Sequence, residues 1–398
     1  MKTKVVILVL ALALMVMPIA ACSQTKPAIE PIKIGVMLDQ TSWGSLTDLL
    51  SISGYKFAAA EVGTINGRPI ELVFEDTGYN PSQAIDKARK LVERDNIVLS
   101  LGPALPAEVE AVAPYLTKNK VPIIPQYPKP ASSLKQEDWV VFPLGTNPMF
   151  GYASGVFAAE ELGAKTATTA GLDFAGPHDY VAGFTQAFEE RGGKVIQNQW
   201  FAGDVVDFST YILNMKDADV AAVVVFGTLD VPFYKQYREL VEPGKRPVVC
   251  LWDEFDMAAN QQLLNGPAEI PTYSASALTY KNPQTREDFL ARYLERYASA
   301  AAESTPFQLG YYIGSIGLQA LRMTGGEGGD DLWKALETMD WESIKGRVKF
   351  TDKMMDTIVQ MVALESGTDH YELVPAKQYR IHGEWNADRT AIIKSVVK

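Results

Sequence analysis

Cysteine and histidine are scarce, with two and three respectively in 398 residues. Cys22 and Cys250 could form one disulfide at most, so the fold must rest on its core. No H-x-x-H or C-x-x-C spacing occurs, which argues against a metal site. Positive charge is also in deficit: 37 Lys and Arg stand against 48 Asp and Glu, a net charge of -11. No basic run with interleaved aromatics appears, and the balance excludes a phosphate-tracking surface and nucleic acid as a partner. Also missing are G-x-S-x-G, a P-loop, and G-x-G-x-x-G after a strand. The GGEGGDD stretch falls between helical segments, where no strand-to-helix turn can cradle a phosphate. Paired acids such as Glu75-Asp76 and Asp253-Glu254 are sequence neighbours, and adjacency does not place carboxylates across a substrate. These absences make catalysis the lesser reading, with no cofactor implied.

The apolar run 5–17, preceded by Lys2 and Lys4, is too short to span a membrane comfortably and reads as the core of an export signal. It ends in Ile19-Ala20-Ala21-Cys22, which resembles a bacterial lipobox. The resemblance implies acylation of the Cys22 thiol and cleavage behind Ala21; the alternative is an ordinary secretory signal in which Cys22 is incidental. Residues 1–21 are thus read as the signal peptide and 22–31, with Pro27 and Pro31, as an extended tether. A lipidated Cys22 leaves Cys250 without a disulfide partner.

What is abundant is alternating α/β pattern. From Ile32 the chain reads as a buried strand (IKIGVML), an Ala-rich helix, an NGRP turn, a second strand (IELVFED) and a helix capped by Asn80 with Pro81 at its first position. Near-continuous apolar strands separated by helices predict a parallel sheet covered on both faces. Further strands are expected at 121–126, 140–145, 166–173, 194–201, 220–227, 247–252 and 272–278. Helices are expected at 151–162, 180–191, 208–216 and 231–240, then consecutively from 282, with short strands closing the chain. A 47% hydrophobic content over this length exceeds one ordinary core and implies two domains.

The segments IKIGVMLDQT, GYKFAAAEV, INGRPIELVFEDTGYNPSQAIDKARKLVERD, VPIIPQ, AAEELGAKTA and GRVKFTD, in this order and spacing, resemble the type I substrate-binding proteins of ATP-driven (ABC) importers, in their branched-chain amino-acid-binding group. The resemblance implies two doubly wound α/β lobes joined by three crossovers, with a ligand cleft between them. Mapped here, lobe 1 is 32–146 plus 279–355 and lobe 2 is 147–278 plus 356–398. It further implies a monomer exported to the outer face of the membrane or the periplasm, held by its lipid anchor and delivering a small solute to ABC permease subunits with a cytoplasmic ATPase. A tethered sensor serving a signalling partner is the alternative.

In open α/β sheets ligands bind beyond the carboxyl ends of the strands. The candidates there are Trp43, Ala104, Leu105, Gln126, Tyr127, Phe174, Phe226, Trp252 and Asp253, with Phe307 added from a later helix. Several of the rings could equally be core, and Asp253 could cap a helix or yield to Glu254 or Asp256. Relatives in that group hold an α-carboxylate with hydroxyls where this chain has Leu105-Pro106 and Gln126-Tyr127, and Phe174 replaces a tyrosine. A planar carboxylate or amide could instead meet the Gln126 amide, the Tyr127 hydroxyl and the backbone N–H of Ala104 or Leu105. The rings favour a flat or aromatic ligand, or a cation over a ring face. His178 is expected to cap a helix or face solvent.

Overall fold

The computed structural model describes residues 29–128, 138–226, 229–252, 270–277, 280–297, 304–366, 371–385 and 391–397. The export-signal and Cys22 readings lie outside these residues. Among the described residues, no helix is long and apolar enough to cross a membrane.

The first sheet has the order β2-β3-β1-β4-β5, from β1 (Ile32–Leu38), β2 (Thr64–Ile65), β3 (Arg68–Asp76), β4 (Leu99–Leu101) and β5 (Ile123–Ile124). All its pairings are parallel except the β2–β3 hairpin. That hairpin turns at Asn66 and Gly67, both at positive φ (50° and 79°), the conformation a tight Asn-Gly turn needs. Every apolar residue of β1 is sealed from solvent, because helices cover both faces. They include α1 (Ser45–Val62), α2 (Pro81–Glu93) and α3 (Pro106–Lys118). The expected Asn80 cap is present: its side-chain oxygen accepts from the N–H groups of Ser82 (2.9 Å) and Gln83 (3.1 Å).

The second sheet has the order β15-β14-β13-β10-β9-β8-β6-β7. Its parallel part is β6 (Thr166–Leu172), β7 (Lys194–Phe201), β8 (Val220–Val224), β9 (Val248–Cys250) and β10 (Thr272–Ser276). The antiparallel strands β13 (Thr357–Ser366), β14 (Tyr371–Trp385) and β15 (Ala391–Val397) extend it. They are longer than the short closing strands the sequence suggested. The segment 140–145, expected as a strand, makes only isolated bridges at Val140 and Phe142. It is an extended connection leading to α4 (Asn147–Glu160); its apolar run satisfies a buried crossing as well as a strand.

Next along the chain are α5 (Ala175–Glu190), α6 (Ser209–Leu213), α7 (Asp230–Leu240), α8 (Pro283–Tyr297), α9 (Thr305–Met323) and α10 (Gly329–Glu337), with the hairpin β11 (Asp340–Ser343) and β12 (Gly346–Lys349) before β13. Helix α9 returns to the first sheet and packs on α1. The chain thus passes between the sheets before α4, after β10 and before β13. These passages lie together: Phe142 N–H donates to the Lys353 carbonyl (2.8 Å), Met355 N–H to Phe142 (3.2 Å), the Thr357 hydroxyl to the Leu144 carbonyl (3.0 Å), and the Lys345 ammonium to the Ala277 carbonyl.

Candidate functional site

The carboxyl ends of the strands converge on one cavity. Beyond β1, Asp39 folds its loop by accepting from the N–H groups of Thr41 (3.2 Å), Ser42 (2.8 Å) and Gly44 (2.9 Å) and from the Ser42 hydroxyl (2.5 Å). Asp76, at the end of β3, clamps the same loop through Gln40 N–H (2.9 Å) and the Thr41 hydroxyl (2.6 Å). Partial burial pulls the Asp76 carboxyl upward, but these donors hold it below its ordinary value. The loop so fixed presents Trp43, which is 48% exposed and set edge-on to Tyr79 with ring centroids 4.7 Å apart.

Tyr127 follows β5 and donates its hydroxyl to Asp48 Oδ1 at 2.9 Å. Its ring meets Trp252, beyond β9, edge to face at 6.2 Å. Trp252 is only 5% exposed and wedges between Phe150 (5.0 Å) and Tyr180 (6.0 Å). Phe174, beyond β6, and Phe226, beyond β8, pack 6.2 Å apart.

The resulting cavity holds about 610 Å³ free of protein atoms, part of it open to solvent. Seven of the sequence candidates line it: Trp43, Ala104, Leu105, Tyr127, Phe174, Phe226 and Trp252. Thr47, Tyr79, Asn147 and Tyr180 line it too, and were missed because Thr47 and Asn147 sit at helix starts, Tyr180 within a helix and Tyr79 after β3, outside the strand ends searched. Of the described lining residues none is charged. Four helices, α1, α3, α4 and α5, contribute residues of their first turns or caps to the wall, so the positive ends of their dipoles face it.

Three expectations need correction. Gln126 is fully buried, and both ends of its amide are engaged: the Tyr55 hydroxyl donates to Oε1, and Nε2 donates to Ser51 Oγ at 2.8 Å. It braces the Tyr127 loop from within. Phe307 is core, with no exposed surface, and packs on Phe57 (6.2 Å) and Tyr293 (4.6 Å). The Leu105 N–H is already donated to Glu108 Oε2 at 3.1 Å, capping α3, and is not available to a ligand. Asp253 lies outside the described residues. His178 stacks on Trp200 at 3.7 Å and meets Asp173 at 2.9 Å, away from the cavity wall.

Two acids stand behind the wall. Burial raises Asp48 to about 8 despite its hydrogen bonds from Asp39 N–H and Tyr127. Burial likewise raises Asp179 to about 6, against the opposing hydrogen bond to Asn147. Among the described residues no group of three or more His, Cys, Asp or Glu could hold a metal ion.

The profile of the periplasmic binding protein family matches residues 31–369. The chain belongs to that family. Its members are solute-binding proteins. Among solved structures, the protein is similar to an ABC transporter substrate-binding protein from Sphaerobacter thermophilus, at 23% identity and a TM-score of 0.76, covering 88% of this chain and 98% of that one. A solute-binding protein of an ABC transporter from Rhodopseudomonas palustris BisB5, in complex with 3,4-dihydroxybenzoic acid, matches at 21% identity and 0.77, covering 88% and 97%. The branched-chain amino acid transporter substrate-binding protein LivJ from Streptococcus pneumoniae, in complex with isoleucine, matches at 22% and 0.73, covering 87% and 100%. At these identities the likeness establishes the type I fold. No curated protein matches the chain.

Proposed function

We propose that this protein is an exported, lipid-anchored solute receptor of an ABC importer, and that its solute is a small flat or aromatic carboxylate or amide. The observation that carries this reading is the wall of the cavity: rings supplied from both sheets, no charged side chain among the described lining residues, and four helix N-termini turned towards it. Faces of Trp43, Tyr127, Phe174 and Trp252 suit a planar ring, each aromatic contact contributing about 0.5–1.5 kcal/mol beyond area burial. The helix ends suit a carboxylate or a carbonyl without demanding an ion pair. That two of the structural neighbours are solved with 3,4-dihydroxybenzoic acid and 4-hydroxybenzoate supports the same class.

In this reading lobe 1 is 32–146 plus 279–355, lobe 2 is 147–278 plus 356–398, and the solute is captured as the lobes close before delivery to the permease. An ordinary aliphatic amino acid is disfavoured, since no charged side chain among the described lining residues would pair with its ammonium group and a buried unpaired charge is costly. Calorimetric titration with 4-hydroxybenzoate, benzamide, leucine, isoleucine and valine tests this. Micromolar or tighter binding of the first or second is expected. Tight binding of leucine, isoleucine or valine, with neither aromatic compound bound, would overturn the ligand class. For the anchor, Cys22→Ser should release the protein from membranes of its host, and unchanged membrane association would refute lipidation at that residue.

A further inference from the structure

A second cavity lies where the passages between the sheets meet, and it shares no lining residue with the aromatic one. It holds about 360 Å³ free of protein atoms, part of it open to solvent. Pro143 and Leu144 of the passage before α4, Met355 and Thr357 of the passage into β13, and Tyr312 of α9 line it. Three charged residues complete the wall: Lys345 and Arg347 from the β11–β12 hairpin, and Asp356. Two of them are matched. Arg347 is paired with Asp340 at 2.6 Å, and Asp356 with Arg380 at 3.7 Å, with His382 hydrogen-bonded to it at 2.8 Å. Lys345 is not matched: among the described residues no carboxylate lies within ion-pair distance of its ammonium, whose one hydrogen bond goes to the Ala277 carbonyl. The wall therefore carries one uncompensated positive charge.

An ammonium has three N–H donors, and Lys345 gives one to Ala277. It stands over the Tyr312 ring, 5.0 Å from the centroid. The Tyr312 hydroxyl, at the edge of that ring, donates among the described residues only to the Met355 thioether at 3.7 Å, a weak acceptor that a stronger one displaces. Two sets of donors thus border the same cavity with little to receive them. A desolvated cation without a counter-charge is costly, and burial alone lowers the Lys345 ammonium to about 7; an anion in contact with it offsets that penalty. We propose that this cavity is a second binding site, for a small monovalent anion of the size of chloride or acetate, held by the Lys345 ammonium and the Tyr312 hydroxyl. A single charge is called for because a single one is uncompensated. Through Ala277, Lys345 also ties the passage after β10 to the other two, so the anion neutralises a cation at the junction of all three and stabilises the folded chain. The inference does not depend on the solute class proposed for the aromatic cavity.

The test is thermal denaturation of the full mature chain at constant ionic strength, with gluconate, a bulkier anion, exchanged stepwise for chloride or for acetate. The midpoint should rise by about 2 °C or more and saturate. Lys345→Met should abolish the saturable rise and Lys345→Arg should keep it. Tyr312→Phe, which retains the charge, should raise the half-saturating concentration about threefold or more. Trp43→Ala, at the aromatic cavity, should leave the rise unchanged. A saturable rise with either anion supports the site, and the anion that produces it identifies the chemistry. No saturable rise with either anion, or an equal one in Lys345→Met, overturns the proposal. Should Lys345→Met fail to fold, Tyr312→Phe decides, and a half-saturating concentration equal to that of the wild type overturns it as well. Loss of the rise in Trp43→Ala would place the anion in the aromatic cavity and refute the second site.

Discussion

Trp43 and Phe307 entered as equivalent aromatic candidates, and the fold separates them by what surrounds each ring. Trp43 is 48% exposed at the cavity mouth, whereas Phe307 has no exposed surface and is enclosed by Phe57, Phe289 and Tyr293. Truncating a fully buried phenylalanine typically costs about 3–5 kcal/mol, transfer and cavity terms together. A half-exposed ring away from the core changes stability by about 0.5 kcal/mol or less. Phe307→Ala should therefore lower the urea midpoint strongly while altering the affinity for 4-hydroxybenzoate less than about threefold. Trp43→Ala should do the reverse, leaving the midpoint nearly fixed and weakening binding tenfold or more. An inverted outcome, with Phe307→Ala stable and defective in binding, would return Phe307 to the site. The same contrast explains Gln126 and Tyr127. Successive residues of an extended segment point to opposite sides, so position after a strand says that one of the pair reaches the cavity without saying which. Tyr127 does, and Gln126 turns inward to Tyr55 and Ser51.

At the scale of elements, each sheet is backed by a helix pair that meets through glycine. In α1 and α9, a Cβ on Gly54 would stand 2.1 Å from the Phe307 carbonyl oxygen, and one on Gly310 would stand 2.1 Å from that of Ser51. In α4 and α5, a Cβ on Gly151 would stand 1.8 Å from the Tyr180 carbonyl oxygen and one on Gly183 2.0 Å from that of Pro148. These obstacles are backbone atoms, so relief requires the helices to part. Gly54→Ala gains about 1 kcal/mol of helix propensity, but overpacking of a tight contact costs about 1–3 kcal/mol, and here the clash falls on backbone at both helices. The net expectation is destabilisation, read as a lower denaturation midpoint; an Ala variant as stable as the wild type would mean that the pair is not held at this distance. The order β1, α1, β3, α2 and the Asn80 cap were legible because apolar period, turn residues and caps are local. The passage at 140–145 was not, since a short apolar run fits a strand and a buried crossing alike. Thr47 and Asn147 escaped notice because both sit within the first turns of helices, where polar residues usually only cap.

For the molecule as a whole, the decisive arrangement is a cavity walled from two sheets that are joined by passages lying side by side. The contacts between those passages, from Phe142 to Lys353 and from Thr357 to Leu144, are short backbone-directed bonds that the proposed closure of the two lobes would keep. The cavity wall is different: Trp43, Leu105 and Tyr127 come from the first-sheet side and Asn147, Phe174 and Phe226 from the second, and it remains partly open to solvent. A planar solute touching both sides stabilises the arrangement that brings them together, which is the condition for hinge closure. Saturating 4-hydroxybenzoate should therefore reduce the radius of gyration in solution scattering and change the fluorescence of Trp43 and Trp252. Trp252 is nearly sealed and Trp43 is exposed, so Trp43→Phe should remove most of the fluorescence change while the scattering change persists. A tightly bound solute that alters neither signal would show that binding engages one lobe only, and closure would then have no role in capture.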